Sequence, residues 1–276
     1  MQKKLLKYQA PIFVVLVYLI SWIEQTNTIR NGHSQNSIDG FLLMWTPGLV
    51  AIFLSLTLNK NIDTLAFKRP DLKSLALAYF VPFIAAVFVI VLLNIFKISE
   101  LQVSPSAIEK AGNVNSVLFK AFIFAPTVGM IIPFISGFGE EIGWRGFLHS
   151  HLLNLAPLKR YLITGVVWSV WHWPLILFGT YATSEKPWLS LILFTIAQTS
   201  SSFLFGYLRD RSKSVFPAAL MHAAHNMWFL GISPTFLKPG PLAPYFTSES
   251  GVFCALIYFA IAMLIIFKLP NKLTSK

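Results

Sequence analysis

The 276-residue chain has few charged residues and almost no cysteine. Only 12% of its residues are charged, whereas soluble domains have about a quarter, so the composition excludes a soluble globular protein. The single cysteine, Cys254, excludes an intrachain disulfide and leaves the redox compartment open. Hydrophobic residues make up 55% of the chain, and the mean hydropathy is +0.64. The composition therefore predicts an integral membrane protein.

Acidic residues are also scarce, with 11 against 22 basic ones and a formal net charge of +11. No basic helix or patch interleaved with aromatic residues occurs, so we do not expect nucleic acid as a partner. In a polytopic protein such an excess belongs to the cytoplasmic loops, and the lipid bilayer is the expected partner.

Eight apolar segments are long enough, or nearly so, to cross a bilayer as helices. They cover residues 10–23, 40–58, 74–96, 118–138 with a continuation to 148, 161–180, 188–208, 214–231 and 251–269. The first segment follows three lysines but precedes no small-residue cleavage site, so we expect an uncleaved helix rather than a signal peptide. The sequence predicts an all-α, polytopic membrane protein with about eight transmembrane helices in a single domain, 1–276, without internal repeats.

The distribution of Lys and Arg predicts the orientation. With the N-terminus inside, sixteen of these residues fall in inner segments and five in outer loops. Because basic residues favour the cytoplasmic side, we expect both termini to be cytoplasmic. Short loops and Lys-rich tails favour a prokaryotic cell membrane. The basic residues at the two ends are Lys3, Lys4, Lys7, Lys268, Lys272 and Lys276.

Two acidic residues, Glu140 and Glu141, stand side by side in the apolar fourth segment, near its expected cytoplasmic end. Carboxylates at membrane depth are costly and are rarely found there without a function. On a helix, Glu141 and Arg145 are i,i+4 neighbours that can pair, while Glu140 points about 100° away. A carboxylate left unpaired in a dry site can act as a general base. The alternative is an Arg–Glu cluster that only anchors the helix end.

Polar residues occur at a similar depth in two further segments. His172 lies about 16 Å into the fifth segment and His222 about 12 Å into the seventh, counted from the cytoplasmic side. Trp168 is one turn before His172, and Asn226 shares a helix face with His222. Each motif alone could be a hydrogen-bonded helix contact. Their convergence with Glu140 predicts a single site.

The residue types favour activation of water and stabilisation of an oxyanion, because no activated nucleophile is evident. The chain has no His-Glu-x-x-His, which excludes a zincin-type protease. Gly137-Phe138-Gly139-Glu140 is faintly similar to the Gly-x-Gly-Asp of intramembrane aspartyl proteases, but no segment supplies the required second aspartate. Two alternatives stay open, a proton- or ion-coupled transporter and a non-catalytic immunity or binding protein.

Three motifs follow one another on three apolar segments: Glu140-Glu141-x-x-x-Arg145, Trp168-x-x-x-His172 and His222-x-x-x-Asn226. Together they resemble the CPBP family of CAAX-processing and bacteriocin-processing intramembrane proteases, which includes the Ras-converting type of CAAX prenyl endopeptidase. The resemblance implies a protease core at about 118–231. The family usually has Phe where this chain has Trp168, a larger side chain that would narrow the pocket.

The resemblance implies an intramembrane endopeptidase whose site opens towards the cytoplasmic half of the membrane. Glu140 is expected to activate water with help from His172, and His222 and Asn226 to stabilise the tetrahedral oxyanion. The substrate is expected to be a peptide or protein in the membrane, either prenylated and CAAX-like or bearing a leader.

The resemblance also gives a role to the second carboxylate and leaves the metal open. Glu141 and Arg145 are expected to form an orienting pair. If a divalent metal such as zinc is bound, Glu140, His172 and His222 are the expected ligands. A metal-free glutamate mechanism is equally compatible with these residue types.

Three other histidines match no motif position. We expect His225 to be structural or to support the site from behind. His149 and His151 are expected near the cytoplasmic interface as solvated polar residues, because a pair two residues apart on a helix is a poor chelate.

Overall fold

The computed structural model describes residues 8–32, 38–179, 181–182, 184–247 and 249–268. Of these residues, 81% are helical, which confirms the all-α prediction. The helices are α1 (Gln9–Arg30), α2 (Ile38–Leu54), α3 (Leu72–Ile95), α4 (Pro105–Ala111), α5 (Val114–Phe119), α6 (Ile131–Glu141), α7 (Pro157–Phe178), α8 (Pro187–Ser212), α9 (Phe216–Asn226), α10 (Ala243–Phe246) and α11 (Val252–Lys268).

Four of these helices continue directly into a wider π-helical segment. The extensions follow α2, α5, α6 and α9, and span Ser55–Asn59, Lys120–Phe124, Ile142–Leu148 and Met227–Ile232. Wider turns of this kind are frequent at functional sites. Two of them begin directly after a predicted site residue, one after Glu141 and one after Asn226.

Two short strands, β1 (Ser99–Leu101) and β2 (Leu237–Pro239), were not predicted. They pair antiparallel, with Glu100 opposite Lys238 and a 3.0 Å ion pair between their side chains. This small ribbon connects two loops and does not change the helical class.

The chain is a polytopic membrane protein. Within its described part, α1, extended α2, α3, α7 and α8 are long and apolar enough to cross a membrane, and a bent helix pair makes a sixth candidate. Large apolar side chains such as Ile23 and Phe88 are exposed on these helices, as lipid-facing residues are. All eight predicted segments coincide with helices, although the last two form helices of only 17 residues.

The termini on which the predicted orientation partly depends lie outside the described residues. The cytoplasmic location of both ends therefore stays a prediction. The basic residues concerned are Lys3, Lys4, Lys7, Lys272 and Lys276.

The fourth predicted segment, 118–138, is bent instead of straight. Helical residues Val114–Phe124 and Val128–His151 meet at an angle of 63°. Pro126 lies at the break, where it has no N–H to continue the helix, and Tyr79 donates a 2.8 Å hydrogen bond to its carbonyl oxygen. The second helix confirms the predicted continuation, and it carries the two adjacent glutamates near its middle rather than at its end.

The helix that carries the glutamates, α6, lies between α2 and α9, and its π-helical extension contacts α7. Glycines permit this close approach. A Cβ atom on Gly137 would come within 2.9 Å of the His222 ring, and one on Gly139 within 2.8 Å of the Trp45 ring. The packing thus brings together the three helices that carry the three motifs.

Candidate active site

Glu140 and Glu141 are both buried, with 2% and 0% of their surface exposed. Because neighbours on a helix point about 100° apart, the two carboxylates meet different partners. Arg145 Nη1 donates a 3.0 Å hydrogen bond to Glu141 Oε1, which confirms the predicted pair. Glu140 instead contacts two tryptophans. The two carboxylates are therefore inequivalent, as the sequence predicted.

The Arg145 guanidinium is completely buried and held on several sides. Its Cζ atom lies 4.1 Å from the centre of the Trp168 ring and 4.2 Å from that of Phe205. Nη2 donates a 3.2 Å hydrogen bond to Ser202 Oγ. A guanidinium that lies against two aromatic rings and is also hydrogen-bonded has few alternative orientations. Arg145 therefore fixes the position of Glu141.

Glu140 uses one carboxylate oxygen for protein contacts and leaves the other open. Its Oε2 atom accepts hydrogen bonds from Trp144 Nε1 at 3.2 Å and from Trp168 Nε1 at 2.7 Å. Its Oε1 atom makes no hydrogen bond within the described part of the chain and lies 4.0 Å from His222 Nε2. The tryptophan found where the family usually has Phe thus supplies a hydrogen-bond donor, beyond the expected bulk.

The hydrogen bonds of the two motif histidines define which ring nitrogen is available. His222 Nδ1 lies 3.0 Å from Glu141 Oε1, and His172 Nδ1 lies 3.0 Å from the Trp168 carbonyl oxygen. Both oxygens are acceptors, so Nδ1 carries the proton in each ring. Nε2 is then the nitrogen that either histidine can offer to a water or a substrate.

The side chains predicted to converge do line one cavity of about 130 Å³. Glu140, His172, His222 and Asn226 contribute to its wall, on α6, α7 and α9. The Asn226 amide makes no side-chain hydrogen bond within the described residues and is half-buried. The cavity thus contains a carboxylate oxygen, two ring nitrogens and an amide with free hydrogen-bonding capacity.

Three residues that sequence reasoning did not place in the site also line this cavity. They are Tyr181, His225 and Glu249. Tyr181 donates a hydrogen bond to Glu249, and His225 Nε2 lies 3.4 Å from Glu249 Oε2. His225 is on the helix of the third motif, so its position was within reach of helical spacing. Tyr181 and Glu249 lie in loops, and no periodic pattern indicates where a loop residue packs.

The prediction that His149 is solvated was wrong. His149 is 1% exposed, and its Nε2 lies 2.9 Å from Asp210 Oδ1. Arg160 and Tyr161 also donate to this aspartate, each at 2.6 Å, which makes the site favourable for a buried imidazole. His151 is half-buried, and its Nδ1 donates to the Phe147 carbonyl oxygen. Neither histidine reaches the cavity.

The cavity residues suit zinc in type but not in spacing. Carboxylates and imidazoles are common zinc ligands, and Glu140, His172 and His222 supply both. Among the residues that the structure describes, however, no three His, Cys, Asp or Glu side chains are arranged closely enough to hold a metal ion. The chemistry proposed below therefore uses the side chains alone, and metal dependence is a matter for a chelation experiment.

Comparison with known proteins agrees with the motif resemblance. Residues 111–228, which contain all three motifs, match the family model of type II CAAX prenyl endopeptidases, Rce1-like. The chain is also similar to CAAX prenyl protease 2 of Methanococcus maripaludis, with 22% identity over 240 residues that cover 80% of this chain and 84% of the relative. The motif-bearing region is thus similar to the type II CAAX prenyl endopeptidases, and this similarity supports the resemblance to the CPBP family of intramembrane CAAX-type proteases.

Proposed function

We propose that Glu140 activates a water molecule to hydrolyse a peptide bond of a membrane-associated substrate. The observation that carries this proposal is the open Oε1 atom of Glu140, which has no hydrogen-bond partner in the described chain while the residue lines the cavity. Because two indole N–H groups hold Oε2, the carboxylate cannot easily rotate and Oε1 keeps its orientation. A fixed carboxylate in a cavity of this kind is suited to general base catalysis.

In the proposed reaction Glu140 takes up one proton from water and later gives it to the leaving group. Glu140 Oε1 accepts a proton from water while the water oxygen attacks the peptide carbonyl carbon, and His172 Nε2 orients that water. The Asn226 amide donates to the developing oxyanion, as does His222 Nε2 when the ring is doubly protonated. When the C–N bond breaks, Glu140 returns its proton to the leaving amine, and the carboxylate is regenerated.

Glu141 and Arg145 act in this mechanism by holding His222 in place. Glu141 Oε1 accepts from both Arg145 Nη1 and His222 Nδ1, each at 3.0 Å. One oxygen thus links the rigid guanidinium to the imidazole that faces the cavity. This pair orients the site without contacting the substrate.

The substrate we propose is a prenylated, CAAX-like protein, with a leader-bearing peptide as the second class. The relative's name, CAAX prenyl protease 2, supports the first class. The site would open towards the cytoplasmic half of a prokaryotic cell membrane, in keeping with the distribution of basic residues.

Cleavage assays in liposomes test this proposal. The purified protein is given quenched fluorescent peptides with a prenylated CAAX end, the same end without prenyl, or a leader sequence. We expect cleavage of the prenylated peptide, and loss of cleavage by about 100-fold or more in Glu140→Gln and in His172→Ala. Full activity in both variants would refute the mechanism. An immunity-type binding protein or a transporter would cleave none of the peptides.

Metal dependence is measured in the same assay. Loss of activity on chelation, restored by zinc, would assign a metal to the site, and activity that resists chelation would support the metal-free glutamate mechanism. The second result is expected if the side-chain arrangement described above is sufficient.

A further inference from the structure

A second buried carboxylate, Glu249, lies in the wall of the catalytic cavity. It precedes α11 in a loop and is only 6% exposed. Tyr181 donates a hydrogen bond to its Oε1, and His225 Nε2 lies 3.4 Å from its Oε2. Burial of a carboxylate is unfavourable unless hydrogen bonds compensate for the lost water. The mechanism above gives Glu249 no role.

Tyr181 connects this carboxylate to a catalytic imidazole. Its ring lies against His172 with 5.5 Å between ring centres and an angle of 20° between the planes. Phe194 and Trp171 contact other sides of the same imidazole, at 5.0 and 4.6 Å between ring centres. Tyr181 therefore closes one face of the His172 ring.

The position of Tyr181 depends on its contacts, because it lies in a loop after the end of α7. Its backbone N–H makes one long hydrogen bond of 3.4 Å to the Leu175 carbonyl oxygen. Burial and the nearby carboxylates of Glu249 and Glu140 raise the pKa of Tyr181 well above its usual value. The phenol thus stays protonated and remains a hydrogen-bond donor to Glu249.

Glu249 is itself held by the helix that carries the oxyanion residues. The Tyr258 hydroxyl lies 2.8 Å from His225 Nδ1. With Tyr258 donating to Nδ1, a neutral His225 carries its proton on Nε2, the nitrogen that lies next to Glu249 Oε2. A continuous set of contacts therefore runs from α9 through two loops to His172 on α7.

We propose that Glu249 and Tyr181 are positioning residues: Glu249 anchors Tyr181, and Tyr181 holds the His172 imidazole in its working orientation. His225 supports Glu249 from α9. The proposal rests on the proposed function, since His172 must orient water for its orientation to matter. A small misplacement of such a group costs rate rather than substrate binding.

The test compares kcat and KM of the full-length protein in liposomes, with the prenylated peptide as substrate. In Tyr181→Ala and Glu249→Ala we expect kcat to fall by about tenfold while KM stays within about twofold. Glu249→Gln keeps an oxygen that accepts from Tyr181 and should recover most of kcat. Tyr181→Phe keeps the ring and loses the anchor, and should lower kcat by about threefold.

Tyr245→Phe is the matched control, because the Tyr245 hydroxyl makes no hydrogen bond in the described chain and does not line the cavity. Its kcat should equal that of the wild type. The positioning role is overturned if both alanine variants keep full kcat, or if KM rises at constant kcat. If the alanine variants do not fold, an unchanged kcat in Tyr181→Phe overturns it.

His172→Ala separates this inference from the proposed function. Full activity in His172→Ala would remove the proposed function itself. Loss of activity in His172→Ala together with unchanged kcat in the Tyr181 and Glu249 variants would remove only the positioning role.

Discussion

Two ionic clusters in this protein use similar residue types. The Asp210 cluster also contains His149, Arg160 and Tyr161, and the glutamate cluster contains Glu140, Glu141, Arg145 and His222. They differ in whether a carboxylate oxygen is open to a cavity. In the Asp210 cluster, both carboxylate oxygens are occupied, Oδ1 by His149 and Oδ2 by Arg160 and Tyr161. In the glutamate cluster, Glu140 Oε1 has no hydrogen-bond partner in the described chain and the residue faces a cavity. Glu141 Oε2 also makes no hydrogen bond with the described residues, but it is enclosed by protein.

The comparison shows that residue types alone do not identify a catalytic site. Each cluster contains a carboxylate, an arginine, a histidine and aromatic rings inside a helical bundle. The Asp210 cluster connects α7 and α8 to the end of the glutamate helix, and both oxygens of its carboxylate are already occupied. The glutamate cluster keeps an open acceptor at a cavity, which is what proton transfer from water requires.

Removing the Asn226 amide should have a large effect on catalysis. We expect Asn226→Ala to lower kcat by about 100-fold or more, because one oxyanion donor typically contributes that much. Gln198 is the control, since its amide lines the same cavity on α8. Gln198→Ala should keep kcat within about fivefold. Equal losses in the two variants would contradict the oxyanion role of Asn226.

Trp168→Phe tests whether the indole that holds Glu140 matters for catalysis. The substitution removes the 2.7 Å hydrogen bond to Oε2, and hydrogen bonds to charged groups contribute about 1.5–3 kcal/mol. We expect kcat to fall by about tenfold. Trp228→Phe is the control, because the buried Trp228 Nε1 has no hydrogen-bond partner in the described chain and the residue does not line the catalytic cavity, and its kcat should change little.

Asp210→Asn should affect stability and leave catalysis intact. The change weakens charge-assisted hydrogen bonds from Arg160 and Tyr161 and should lower the free energy of unfolding by about 2 kcal/mol. Thermal unfolding in detergent measures this loss. The kcat of the folded variant should stay within about twofold of the wild type. A large loss of kcat would mean that the Asp210 cluster is coupled to the cavity.

Sequence reasoning predicted the parts of the site that helical spacing determines. It placed Glu141 beside Arg145 and brought His172, His222 and Asn226 together with Glu140, because polar positions on apolar helices point inwards. It did not predict contacts that depend on loops or on ring rotamers. Tyr181 and Glu249 reach the cavity from loops, and the N–H of Trp168 points at Glu140 only through the packing of α7 against the π-helical extension of α6.

The burial of His149 and the bend at Pro126 were missed for a related reason. The buried His149 pairs with Asp210, which lies 61 positions later in the chain, and no local sequence pattern predicts a contact between residues so far apart. Pro126 lacks the N–H that a continuous helix needs and therefore favours a break. The residues on both sides of it are apolar, however, so hydropathy alone predicts one continuous span.

Asp71, at the start of α3, should give the smallest effect. Its carboxylate accepts from Ser74 N–H at 3.0 Å and from Ser74 Oγ at 2.6 Å, and these bonds lower the pKa of Asp71. Its stabilisation is therefore present above the ordinary aspartate pKa and lost as pH falls through the lowered value. Asp71→Ala should slightly lower the unfolding temperature at neutral pH, and the difference from wild type should vanish in acid. A difference that persists in acid would contradict this.

The central claim is that the open oxygen of Glu140 is the base, and paired amide variants test it most directly. Glu140→Gln and Asp210→Asn each remove one carboxylate charge from a buried cluster without changing its shape. Single-turnover cleavage in liposomes should fall by about 1,000-fold in Glu140→Gln and by less than about twofold in Asp210→Asn, with both proteins folded. Cleavage by Glu140→Gln within about tenfold of the wild type would contradict the claim.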